Sequence, residues 1–212
     1  MGLTLYLLRH GETEFSKTGG YCGSLDPELT DNGRRMAEQF GDAFRKLSWE
    51  AAYVSPMKRT IATAKPLCDA VGIEMRLRDG LKEIAYGEWE GRTQEDVKER
   101  YADVYLRWMT EPAWNAPPDG ETAQQIAARA TPVISEILAH HSSGNVLVVS
   151  HKATIRILLC DFLGIDLGRY RDRIAAFAGS VSIVRFGQYG PLLEVLGDRS
   201  YMSDDLRGLP GT

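Results

Sequence analysis

Apolar residues along the chain alternate between short continuous runs and longer stretches with helical spacing. Residues 3–8 (LTLYLL) are a strand-sized apolar run that ends at Arg9 and His10. A polar, Gly-rich stretch follows. Thr30, Asp31 and Asn32 then offer helix-starting side chains, and Met36, Phe40, Ala43, Phe44 and Leu47 recur at three- and four-residue intervals. Residues 51–54 form a second short run, stopped by Ser55 and Pro56, and 57–70 reads as a helix with Ile61, Ala64, Leu67 and Cys68 on one face. Residues 79–91 read as loop. Residues 93–110 and 122–141 read as two helices around a Pro-rich loop at 112–119, and Pro132 predicts a kink or a late start in the second. Residues 146–149 (VLVV) suit a strand buried on both faces, ending at Ser150 and His151 with helix over 155–163. Residues 181–186 and 192–196, joined through Gly187 and Gly190, read as a closing pair of strands, and the polar tail after Asp204 reads as loosely held.

This β–α alternation predicts one α/β domain over residues 1–212, a mostly parallel sheet flanked by helices on both faces. Ligands in such sheets bind beyond the carboxyl ends of the strands. Those ends carry Arg9 and His10, Arg59 just after the second strand, and His151, so the topology brings four cationic or titratable residues to one edge. Composition narrows the partners. With 25 Lys and Arg against 29 Asp and Glu, a net charge of −4 provides no broad basic field for nucleic acid. No apolar run approaches the roughly 20 residues that span a bilayer, and the N-terminus reads as a strand, not a signal peptide. Three cysteines (Cys22, Cys68, Cys160), odd in number and without close pairing, fit reduced thiols and a cytoplasmic location.

Two arginines and two histidines at strand ends make an anion site. Guanidinium matches phosphate in bidentate geometry, and a helix N-terminus adds backbone donors. An imidazole there is suited to accept a phosphoryl group covalently, while the arginines and the second imidazole neutralise the transferring oxygens and a nearby carboxyl protonates the leaving alkoxide. His140 and His141 fall at a helix C-terminus and read as structural. Trp108, Met109 and Trp114, around the Pro-rich loop, are candidates to cap the mouth of the site.

Five blocks in order carry a family resemblance: LRHGET at 8–13, SPMKRTIATA at 55–64, KEIAYGEWEG at 82–91, GET at 120–122 and VSH at 149–151. Together they resemble the histidine phosphatase superfamily, the phosphoglycerate mutase-like proteins, over residues 3 to about 202. The resemblance implies a three-layer α/β/α sandwich with His10 as nucleophile, Arg9, Arg59 and His151 as the phosphate pocket, and Glu83 as proton donor ahead of the neighbouring Glu88 and Glu90. It implies no metal or cofactor, and HxH and CxxC ligand spacings are missing.

Several positions depart from the family pattern. Ser16 stands where many members have Asn, Cys22 where Gln often precedes the glycine that is Gly23 here, and Lys152 where a small residue commonly follows the second histidine. Ser16, Cys22, Gly23, Tyr86 and Lys152 are therefore the candidate substrate contacts. Tyr86 keeps the Glu-x-x-Tyr-Gly spacing of phosphoglycerate-using relatives, and Lys152 suits a carboxylate beside the phosphate. The expected activity is hydrolysis of a small phosphomonoester of the phosphoserine, phosphoglycerate or sugar phosphate class. A mutase is the competing reading and a non-catalytic phospholigand-binding module the third. The compact 91–119 segment and short tail resemble phosphatases more than the longer mutases. A homodimer through an edge strand is compatible with this reading.

Overall fold

The computed structural model describes residues 2–211. Six strands, β1 (Leu3–Arg9), β2 (Trp49–Val54), β3 (Met75–Leu77), β4 (Gly144–Ser150), β5 (Val181–Gly187) and β6 (Gly190–Asp198), form one sheet in the order β3-β2-β4-β1-β5-β6. The first four positions are parallel, whereas β5 runs antiparallel to both β1 and β6, so the sheet is mixed. The helices are α1 (Glu14–Thr18), α2 (Asp31–Phe44), α3 (Lys58–Val71), α4 (Gln94–Arg100), α5 (Ala102–Thr110), α6 (Ala123–His140), α7 (Lys152–Leu163), α8 (Tyr170–Arg173) and α9 (Asp204–Arg207).

The continuous apolar strands are explained by burial on both faces. Leu5, Leu7, Val146 and Val148 pack toward Ile126 and Ile134 of α6 and Ile155 and Leu158 of α7. The alternate residues Leu8, Leu147 and Val149 pack toward Phe40 of α2 and Leu67 of α3. Each such fully buried aliphatic side chain contributes roughly 1.5–3 kcal/mol. This alternation also pins the register, because a one-residue slip would exchange the two faces. Arg9 pairs with Ser150, and Val54 pairs with Val149. The carboxyl ends of β1, β4 and β2 are therefore level, and the residues that follow them emerge side by side. No helix of the described residues is long and apolar enough to cross a membrane.

Four local expectations change. The helix expected over 93–110 is two helices broken at Tyr101, where the backbone (φ −127°, ψ 35°) leaves the helical region and the hydroxyl donates to Glu88. α6 starts on time, capped by Thr122 and Gln125, and runs through Pro132. The cost of an interior proline, about 3 kcal/mol, is exceeded by the buried Ile126, Ile134 and Ile137 around it. α1 and β3 carry too few apolar positions to show a period. The tail after Asp204 is packed, not loose: Leu206 lies buried with Met36, Ala178 and Met202, and the Gly211 carbonyl accepts from Arg9 Nη1 at 3.1 Å. Its apolar contacts are spread too thinly along the chain to register as a pattern.

Candidate active site

β1 delivers Arg9 and His10 into a cleft of about 160 Å³. Gly11 lets the chain turn there: a Cβ on it would sit 2.4 Å from the Gly33 carbonyl oxygen, so the start of α2 approaches the backbone too closely for any side chain. The Gly11 N–H donates to Thr63 Oγ1 on α3, and the His10 N–H donates to the Ser150 carbonyl of β4. His10 is thereby fastened from both sides.

The His10 ring is oriented by one contact. Nδ1 lies 2.8 Å from the Gly11 carbonyl, which is only an acceptor, so Nδ1 carries the proton and Nε2 keeps its lone pair. Burial, with the charges of Arg59 and Arg9 adding to it, holds this imidazole well below the usual histidine range and hence neutral. A neutral ring with a free Nε2 is the protonation state a nucleophile requires.

His151 takes a different place from the one expected. It is fully buried, 5.1 Å from His10 ring to ring, and does not form the wall of the cleft. Its Nδ1 accepts from Arg59 Nε at 3.2 Å, so Nε2 holds the proton and donates to Ser55 Oγ at 2.8 Å. Burial and Arg59 keep it neutral as well. In this arrangement its contact is with the guanidinium, not with the cleft. Arg59 is itself buried, donating to the carbonyls of Leu25 at 2.7 Å and Gly23 at 3.0 Å, yet it reaches the cleft wall. Asp26, 3.6 Å from Arg59, accepts from the Lys58 N–H and so covers the first turn of α3.

Of the three acids in the 82–91 segment, Glu83 reaches the cleft and the other two do not. Its carboxylate accepts from the Ile84 N–H and, at 3.2 Å, from the Ala153 N–H in the first turn of α7. Glu90 instead accepts from the N–H groups of Gly23, Ser24 and Tyr86, joining two loops, and Glu88 pairs with the Tyr101 hydroxyl. The loop bearing Glu83 is held by a residue that sequence reasoning missed. Arg129 of α6 donates to the carbonyls of Gly80, Lys82 and Glu83 and to both oxygens of Glu121. Burial pushes the Glu121 carboxyl up, but bonds from Arg129 and the Ala85 N–H hold it below its ordinary value overall. The GET block at 120–122 thus serves the loop, not the cleft.

The remaining candidates divide. Ser16 faces the cleft, but its hydroxyl is engaged in the reciprocal cap of α1, donating to the Thr13 carbonyl and accepting from the Thr13 N–H. Gly23 is a spacer whose N–H goes to Glu90 and whose carbonyl goes to Arg59. A Cβ there would meet the Ile84 carbonyl oxygen at 1.8 Å, so the position demands glycine without contacting the cleft. Cys22 lines the cleft with its thiol pushed up to about 11 by burial, so it is not a thiolate at neutral pH. Tyr86 lines it too, its hydroxyl pushed well above the usual range by burial and the Glu83 charge. Tyr86 and Trp108 stand against Tyr21 in an aromatic cluster that walls one side, Trp89 lying behind them. Met109 touches Arg171, and Trp114 is exposed away from the cleft.

Lys152 opens α7 and lines the cleft, its ammonium brought down to about 7 by burial and then by Arg9 and Arg156. Arg156 and Arg171 also line it, unforeseen. Arg156 stands four residues after Lys152, a helical spacing visible in the sequence; Arg171 lies in a stretch without periodicity. Among the described residues no group of three or more His, Cys, Asp or Glu side chains is arranged to hold a metal ion.

The cleft has counterparts in known proteins. The chain is 33% identical over 166 residues to phosphoserine phosphatase 1 of Hydrogenobacter thermophilus, covering 78% of this chain and 79% of that one. It is 35% identical over 196 residues to an acid phosphatase of Mycobacterium tuberculosis, covering 91% of each. The solved structure of Bacillus stearothermophilus YhfR superposes with a TM-score of 0.89 at 27% identity, over 95% of this chain and all of that one. The model of the histidine phosphatase superfamily (branch 1) matches residues 5–199. With the phosphoglycerate mutase-like fold, the RHG turn on β1 and relatives that are phosphoric monoester hydrolases, the chain belongs to the histidine phosphatase superfamily.

Proposed function

We propose that the protein hydrolyses small phosphomonoesters through a phosphohistidine on His10, with Glu83 as general acid and then general base. The observation that carries this reading is the His10 ring: Nδ1 bonded to the Gly11 carbonyl, the ring neutral, and Nε2 available at the cleft. Nε2 attacks phosphorus as the ester P–O bond breaks, and the departing alkoxide takes the proton from the Glu83 carboxyl. Glu83, now a carboxylate, removes a proton from water as the water oxygen attacks phosphorus. The P–N bond breaks, releasing inorganic phosphate and returning His10 to its starting state. Arg9 and Arg59 stabilise charge on the non-bridging oxygens during both steps. His151 acts through Arg59, holding Nε of the guanidinium.

The cleft volume, about 160 Å³, falls below the roughly 300–1,000 Å³ of sites for drug-sized ligands, which supports a small metabolite as substrate. Tyr86 and Lys152 at the wall favour a substrate with a carboxylate beside its phosphate, phosphoserine or a phosphoglycerate, and one of the relatives is named for phosphoserine. The reaction is tested by mixing the enzyme with radiolabelled phosphomonoester and quenching in base. Acid-labile label on wild type, absent from folded His10→Ala, is expected. A folded wild type that releases phosphate without ever carrying label refutes the covalent route.

A further inference from the structure

Two cations in the cleft, Arg156 and Arg171, have no role in the chemistry above, and they stand with Lys152, to which a substrate carboxylate has been assigned. Lys152, Arg156 and Arg171 line the same cleft as His10, yet none makes a salt bridge to an acidic side chain among the described residues. Arg156 Nε and Arg171 Nη1 are buried nitrogens with no hydrogen-bond acceptor. The contrast with the rest of the molecule is sharp: Arg59, Arg78 and Arg129 each meet carboxylates. Grouping half-buried positive charges is costly, and at Lys152 and Arg156 burial and repulsion between cations outweigh the attraction of Glu83. Burial and Arg171 lower the Arg156 guanidinium, and Lys152 is lowered likewise.

The cations are also held in place. Lys152 and Arg156 are i and i+4 on α7 and so share a face. The Arg171 guanidinium lies 3.7 Å above the Trp108 ring and its Nη2 lies 2.9 Å from the Met109 sulfur. A flat guanidinium stacked on indole leaves its other edge donors, Nη1 among them, free for a ligand.

We propose that Lys152, Arg156 and Arg171 form a second oxyanion subsite, which selects phosphomonoesters carrying a further carboxylate or phosphate on the group that leaves. This rests on the phosphomonoesterase reading of the cleft and adds to it the two arginines, which make the second anionic group a requirement of recognition. Both guanidinium forks match the two oxygens of a carboxylate or of a terminal phosphate, and the ammonium adds a point charge. Uncharged alkyl phosphates leave these donors unmatched.

The test compares kcat/KM for 3-phosphoglycerate, glycerol 3-phosphate and a glycerol bisphosphate. The first two differ by carboxylate against hydroxymethyl, and the third places phosphate in the same region. Wild type is expected to favour one or both anionic esters over glycerol 3-phosphate. Arg156→Met and Arg171→Met, on separate helices, are each expected to shrink that preference about 10- to 100-fold, with Arg156→Lys intermediate. Which anionic ester loses more identifies carboxylate or phosphate as the natural group. Equal losses on all three esters in both folded variants overturn the proposal, because the cations then serve the transferring phosphate. No wild-type preference overturns it also. Calorimetric binding of the same esters to folded His10→Ala gives the preference without turnover, so failure of the hydrolysis reading is read separately from failure of the subsite.

Discussion

Arg129 makes no contact with the cleft, yet Arg129→Met should disable the acid step. Its guanidinium holds three carbonyls of the 80–83 segment at 2.9, 2.8 and 3.0 Å and pairs with Glu121 through two bonds of 2.8 and 2.9 Å. Methionine keeps much of the apolar stem and removes all five. At about 1 kcal/mol net for each carbonyl bond, the substitution costs roughly 3 kcal/mol before the half-buried Glu121 loses its cation. For a chain of this size that corresponds to a fall in Tm of roughly 6–12 °C. The catalytic effect follows from geometry, because a displacement of Glu83 by about 1 Å is worth on the order of 100-fold. The assay that separates positioning from general damage is the leaving group. An alkyl phosphate needs its alkoxide protonated, and kcat on it should fall about 100-fold with KM little changed. p-Nitrophenyl phosphate leaves as a stable phenolate and should lose less than about fivefold. Equal losses on both esters, or an unchanged Tm, refute the clamp.

Three further outcomes are expected. Leu206→Ala removes a buried side chain of the terminal segment and should lower stability by about 2–5 kcal/mol in urea melts; a change under about 0.5 kcal/mol means the tail adds nothing to the fold. Gly11→Ala drives a Cβ to 2.4 Å from the Gly33 carbonyl and should cost about 1–3 kcal/mol and shift His10, read as lower Tm together with slower phosphoenzyme formation. Lys152, facing Arg9, Arg156, Glu83 and Arg171, has its ammonium lowered from 10.5 to about 7. It is charged below that pH and loses its charge as pH rises through it, so an anion bound there must bring a proton with it. KM for 3-phosphoglycerate should therefore rise from pH 7 to 10, and Lys152→Arg should flatten the rise; an identical slope in Lys152→Met removes Lys152 as its source.

The local pattern of the sequence already contained the layers and most of the strands, because strands buried on both faces read as apolar runs and helices with one buried face read as period 3.6. It also contained the convergence of Arg9, His10, Arg59 and His151, since level carboxyl ends of neighbouring strands bring their following residues together, whereas Glu83 was legible only through the family resemblance of the 82–91 block. Tertiary structure decided what each group does there. Which ring nitrogen of His10 carries the proton depends on the Gly11 carbonyl beside it, and the withdrawal of His151 behind Arg59 depends on Ser55, far away in the chain. Glu83 is separated from Glu90 only by which carboxylate meets the N–H groups of a distant loop. The charge balance shows the same limit. A net −4 excluded a broad basic surface, but the gathering of Lys152, Arg156 and Arg171 around one cleft arises from helix packing, which acts over distances that no local window of sequence spans.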